Sequence, residues 1–64
     1  MNEQLEQVLN NYQVTFGKRF MGKKYVWEAM KYPKGRVQYS EHFDTAEQCV
    51  NNLIEILYEQ PKEN

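Results

Sequence analysis

Residues 12–43, YQVTFGKRFMGKKYVWEAMKYPKGRVQYSEHF, decide the fold. Tyr12, Val14, Phe16 and Phe20 alternate with Gln13, Thr15, Gly17 and Arg19, with Lys18 among the apolar set. A period of two over nine residues predicts a half-buried strand over 12–20. Met21-Gly22 supplies a tight turn, since glycine takes a positive φ at no steric cost. Residues 23–32 predict a second strand. Tyr25, Trp27 and Ala29 form its inner face, and Glu28, between Val26 and Met30, marks the outer one. Pro33-Lys34-Gly35 reads as a turn, because proline presets φ and glycine accepts the left-handed position. Residues 36–43 predict a third strand. Val37, Tyr39 and Phe43 share its inner face, and Arg36, Gln38, Ser40 and His42 its outer face. Two short connections make this an antiparallel meander.

Helical patterns flank the meander. Met1, Leu5, Val8, Leu9 and Tyr12 recur at helical spacing and predict a helix over 2–11, with Asn10-Asn11 as a poor helix-forming exit. Thr45 followed three residues later by Gln48 is a capping-box pattern, and it opens a helix over 45–59. Ala46, Cys49, Val50, Leu53, Ile54, Ile56 and Leu57 form the apolar stripe of that helix, and Pro61 follows its end. The expected fold is α+β: a single small domain over 1–64, in the order α-β-β-β-α, with a three-stranded antiparallel sheet packed on helices. The helices cover one face of the sheet and leave the other open.

A chain of 64 residues has room for one thin core, and large rings help to fill it: aromatics make up 14% of the sequence. The single cysteine, Cys49, cannot form an internal disulfide, and a secreted domain this small usually needs one. The first residues, MNEQLEQVLNN, lack the basic and apolar regions of a signal peptide. No apolar run approaches the roughly 18 residues of a membrane span. A cytoplasmic protein with no membrane association is the expectation.

Catalysis finds little support. His42 is the only histidine and reads as an ordinary surface residue; Cys49 lies on an apolar stripe and reads as a core thiol. No nucleophile elbow, phosphate loop, paired-carboxylate motif or convergent metal-ligand set is visible, so no enzyme activity, cofactor or metal is expected.

Charge is more informative. The net charge is −1, but residues 18–36 carry +6, against −2 for residues 1–17 and −5 for residues 37–64. Seven of the eight basic residues fall in that middle stretch. Basic side chains interleaved with aromatics on a hairpin suit phosphate contacts beside a sheet face laid in a groove. Arg19, Lys23, Lys24, Lys34, Arg36 and Gln38 are therefore the candidate nucleic-acid-binding residues. Solubilising charge on edge strands is the plainer reading of the same residues. Val26, Met30 and Tyr32, apolar on the open face and ringed by charge, form a candidate protein interface.

The stretch from Lys18 to Ile56 resembles the arm-type DNA-binding domain of tyrosine recombinases. The resemblance rests on KRFMGKKYVWEA, the turn at YPKGR and the strand entering HFDTAEQCVNNLIE. It implies three strands entering a DNA major groove with a helix packed behind, and places Arg19, Lys24, Arg36 and Gln38 toward DNA. The chain departs from that family in its N-terminal helix and in having no recombinase catalytic domain. The α-β-β-β-α order is also similar to double-stranded-RNA-binding domains. Their final helix opens with lysines, where this chain reads Thr45-Ala46-Glu47-Gln48.

Two functions from different classes follow as expectations. One is a small non-enzymatic DNA-binding protein acting through the basic hairpin. The other is a protein-binding adaptor or inhibitor, of phage or mobile-element origin, using the open sheet or the acidic last helix. A homodimer through unpaired sheet edges is a third arrangement.

Overall fold

The computed structural model describes residues 2–60; the parts of the helix and charge patterns that fall on Met1, Pro61, Lys62 and Glu63 lie outside it. The elements follow the expected order: α1 (Glu3–Asn11), β1 (Tyr12–Arg19), β2 (Lys24–Lys31), β3 (Val37–Tyr39) and α2 (Ala46–Leu57). The strands lie side by side in that order, and both pairings are antiparallel.

Both helices are capped by side chains. The Asn2 carboxamide oxygen accepts from the backbone N–H groups of Gln4 and Leu5. Thr45 Oγ1 accepts from the Gln48 N–H at 3.1 Å while Gln48 Oε1 accepts from the Thr45 N–H at 3.3 Å, so the capping box closes in both directions. One face of each helix then packs on the sheet: α1 lies over β1, α2 over β2, and the two helices touch. Val8, Tyr12, Trp27, Ala29, Cys49, Leu53 and Leu57 form the core, flanked by Leu5, Val14, Tyr25, Phe43 and Tyr58. Trp27 is only 3% exposed, and its indole N–H donates to Asn52 Oδ1 at 3.0 Å. A ring of that size buried without a partner for its N–H would carry a desolvation cost. Ile56, expected on the buried stripe, points outward, because the stripe narrows to Cys49, Leu53, Ile54 and Leu57.

A polar clasp joins the chain ends. The Gln7 carboxamide donates to the Glu59 carbonyl oxygen and accepts from the Glu59 N–H, while Lys31 Nζ reaches the Glu59 carboxylate at 3.1 Å.

Two parts of the meander depart from strict alternation. The first turn is a four-residue loop, Phe20–Lys23, since Arg19 and Lys24 are the last paired residues. Phe20 and Met21 take φ of 53° and 57°, which turns Phe20 off the inner face where simple alternation puts it. The second departure inverts most of β3. Tyr39 pairs with Glu28 and Val37 with Met30, so both aromatic and aliphatic side chains of β3 face the open side. Gln38 pairs with Ala29 and faces the helices' side, the reverse of the sequence expectation. Phe43 nonetheless pairs with Tyr25 on the inner side. Only Val26 separates Tyr25 from Trp27, whereas Glu41 and His42 separate Phe43 from Ser40, whose N–H donates to the Trp27 carbonyl. The extra residue makes a β-bulge, and a bulge flips the side-chain phase beyond it. Ser40 repairs the interrupted ladder: its hydroxyl oxygen accepts from the Trp27 N–H at 2.8 Å and its hydroxyl donates to the Glu41 carbonyl.

Candidate nucleic-acid interface

The uncovered face of the sheet carries Gln13, Thr15, Gly17 and Arg19 from β1, Lys24, Val26, Glu28 and Met30 from β2, and Val37 and Tyr39 from β3. Thr15, Arg19, Val26, Glu28, Tyr39 and His42 surround a shallow concavity of about 310 Å³. Gly17 contributes to its depth by having no side chain in mid-strand. Hydrogen-bonding groups occupy the middle of the face, and the cations stand at its margins.

Those cations fall into two groups. Lys18, Arg19, Lys23 and Lys24 surround the Phe20–Lys23 loop; Lys31, Lys34 and Arg36 surround the connection between β2 and β3. The two groups occupy opposite ends of β2, which at eight residues is about 23 Å long. The sequence reading of one contiguous basic hairpin face therefore becomes two basic ends of one sheet.

Two of the cations already hold carboxylates. Lys24 bonds to Asp44, just before α2, and Lys31 bonds to Glu59. The Glu59 carboxylate, by hydrogen bond and then by charge, raises the Lys31 pKa above the ordinary lysine value. Lys18 Nζ lies 5.4 Å from the Tyr25 ring centre and Lys31 Nζ 6.0 Å from that of Tyr12, both within cation–π range. Arg19 donates only to the neighbouring Lys18 carbonyl, and Lys23, Lys34 and Arg36 make no salt bridge among the described residues.

The charge divides by layer as well. α1 and α2 contain no lysine or arginine, and Glu3, Glu6, Glu47 and Glu55 lie on them. Every basic residue among those described belongs to the sheet or its two connections, where Glu28 is the only acid.

Of the residues singled out from sequence, Arg19, Val26 and Met30 share the open face; Lys23, Lys34 and Arg36 lie in the connections at its ends. Lys24 is tied to Asp44, and Gln38 faces the other side. Tyr32 lies past the end of β2, half-exposed, with its backbone N–H bonded to the Asn11 carbonyl. Sequence reasoning missed Tyr39, 72% exposed beside the concavity, because a bulge breaks the period-two pattern that assigns faces. It placed Gln13 and Thr15 on the outer face of the first strand and Met21 in the turn, but gave them no functional role.

Among the described residues, no three His, Cys, Asp or Glu side chains stand together to hold a metal ion, and no helix is long and apolar enough to cross a membrane. No protein-family model matches this chain, and neither a curated protein nor a solved structure matches it.

Proposed function

We propose that this protein binds duplex DNA, with the open sheet face laid across the major groove and the two cationic ends of the sheet on the phosphate strands bordering it. The observation that carries this reading is the division of charge by layer: cations in the sheet and its connections, carboxylates on the helices behind. A B-form major groove is about 12 Å wide and accepts a β-ribbon. A sheet about 23 Å long along β2 spans it and reaches both borders. Cations at both ends then meet phosphates, while Gln13, Thr15 and Tyr39 present hydrogen-bonding groups toward the groove. Glu28 between them repels phosphate, which favours a centred placement. The deep, narrow major groove of A-form RNA does not admit a sheet, so DNA is the preferred duplex.

Charge reversal at each end separates this from general stickiness. Arg19→Glu with Lys23→Glu, and separately Lys34→Glu with Arg36→Glu, are each expected to weaken binding to a mixed-sequence duplex by roughly tenfold or more. Each lost phosphate contact should also lower the salt slope by about 0.9. Reversal of Glu47 and Glu55 to lysine should not weaken it. If one end tolerates reversal without loss, the spanning geometry is wrong.

A second reading rests on Val26, Met30, Val37 and Tyr39, which lie around Glu28 on the open face. Apolar groups beside charge suit a protein surface, as an adaptor or inhibitor would use. It predicts a one-to-one complex with a protein that survives nuclease treatment and is lost on Tyr39→Glu.

A further inference from the structure

The loop joining β1 and β2 is built at a cost that the groove-binding reading does not use. Phe20, Met21 and Gly22 take φ of 53°, 57° and 81° in succession. Glycine, asparagine and aspartate occupy such positions readily; bulky residues there are outliers whose strain persists where the surroundings demand it. Here a phenylalanine and a methionine hold two of the three. Phe20 is braced, its ring edge-on to His42 with centroids 4.9 Å apart. Met21 stands at the apex, 97% exposed, the most exposed large apolar side chain of the described residues. Arg19 and Lys23, which make no salt bridge among the described residues, flank it in sequence, so an apolar point projects from a cationic end.

Assuming the DNA-binding reading above, we infer that Met21 is a wedge that enters the minor groove next to the major groove held by the sheet and partly unstacks a base step there. The sheet exceeds the groove width by roughly 10 Å, so each end overhangs a phosphate strand by about 5 Å. That overhang carries the Phe20–Lys23 loop over the neighbouring minor groove. Apolar side chains pushed between base steps are a known way for proteins to kink a duplex, and methionine is among those used. Its unbranched thioether chain is slim and adaptable. Arg19 and Lys23 attach to the phosphates on either side of the entry point. An anionic bilayer would also attract a cationic tip, but one apolar side chain is a weak anchor, since stable membrane attachment takes two signals.

The test uses the full chain and a mixed-sequence duplex labelled at both ends for energy transfer, with Met21→Ala and Met21→Gly as variants. Both variants remove an exposed side chain, and glycine also suits the backbone there, so folding is retained. The wild type should bend the duplex by roughly 20–90°. Both variants should leave it nearly straight while binding within about threefold of the wild type with the same salt slope. Equal bending by all three proteins would overturn the wedge and leave the DNA reading standing. No binding by the wild type would remove both. Retention of the wild type, but not the variants, on phosphatidylserine vesicles, with no difference on DNA, would also overturn the wedge and assign Met21 to a membrane.

Discussion

Cys49 shows at the scale of one residue how position fixes chemistry. Its thiol is 1% exposed beneath α2, and burial raises its pKa above the ordinary thiol range. A neutral thiol is the form that a low-dielectric surrounding favours, so the folded chain holds this proton at pH values where the unfolded chain releases it. Stability therefore falls as pH rises past about 8.5, the ordinary thiol value. Lys31 follows the same sign from a different cause. Its raised pKa means that its bond to Glu59 supports the fold below the ordinary lysine value and is lost only as pH climbs beyond it. Urea midpoints measured from pH 7 to 10 should thus decline, and decline less in Cys49→Ala. An identical decline in the variant would show that Cys49 does not cause it. In the native protein at pH 8, Cys49 should react with an aromatic disulfide reagent only as fast as the chain opens.

Among the elements, the least regular junction should matter most. Ser40→Ala leaves the buried Trp27 N–H without its acceptor, which should cost about 1–3 kcal/mol. Thr45→Ala removes one half of the α2 capping box and should cost about 1 kcal/mol. Urea titration distinguishes them, with a shifted midpoint and an unchanged slope expected for both. If Ser40→Ala costs less than Thr45→Ala, the Ser40 hydroxyl is not the ladder repair described above. The elements most legible in the sequence were those with an unbroken period. The α2 stripe with its cap, the alternation through Tyr12–Phe16, and Glu28 between Trp27 and Ala29 each located an element and its buried face. Glu41-His42 hid the faces of β3, since one inserted residue exchanges inside and outside with no change in composition. Met21-Gly22 located the first turn, but Phe20 hid its four-residue length, because a side chain that seldom takes positive φ occupies its first position. The open face was consequently legible in part: Val26, Glu28 and Met30 from β2, but neither Tyr39 nor the separation of the cations to two ends.

On the scale of the whole molecule, a chain with a net charge of −1 carries two layers of opposite sign. The carboxylates on the helices keep a small protein soluble and limit unspecific attraction to polyanions, while the sheet side keeps a local positive field. Four cations of the open face and its connections, Arg19, Lys23, Lys34 and Arg36, make no salt bridge among the described residues, while Lys18 lies on the helix side over the Tyr25 ring. Lys24 and Lys31 hold the sheet to Asp44 and Glu59 instead. If the four meet phosphates, each releases counterions, and the logarithm of the binding constant falls with the logarithm of salt at a slope of about −0.9 per contact. Anisotropy of a labelled mixed-sequence duplex, titrated with the full chain at salt concentrations from about 50 to 200 mM, measures that slope. A slope of about −3.6 is the predicted result. A flat salt response, or no binding at the lowest salt, would contradict DNA recognition by this sheet.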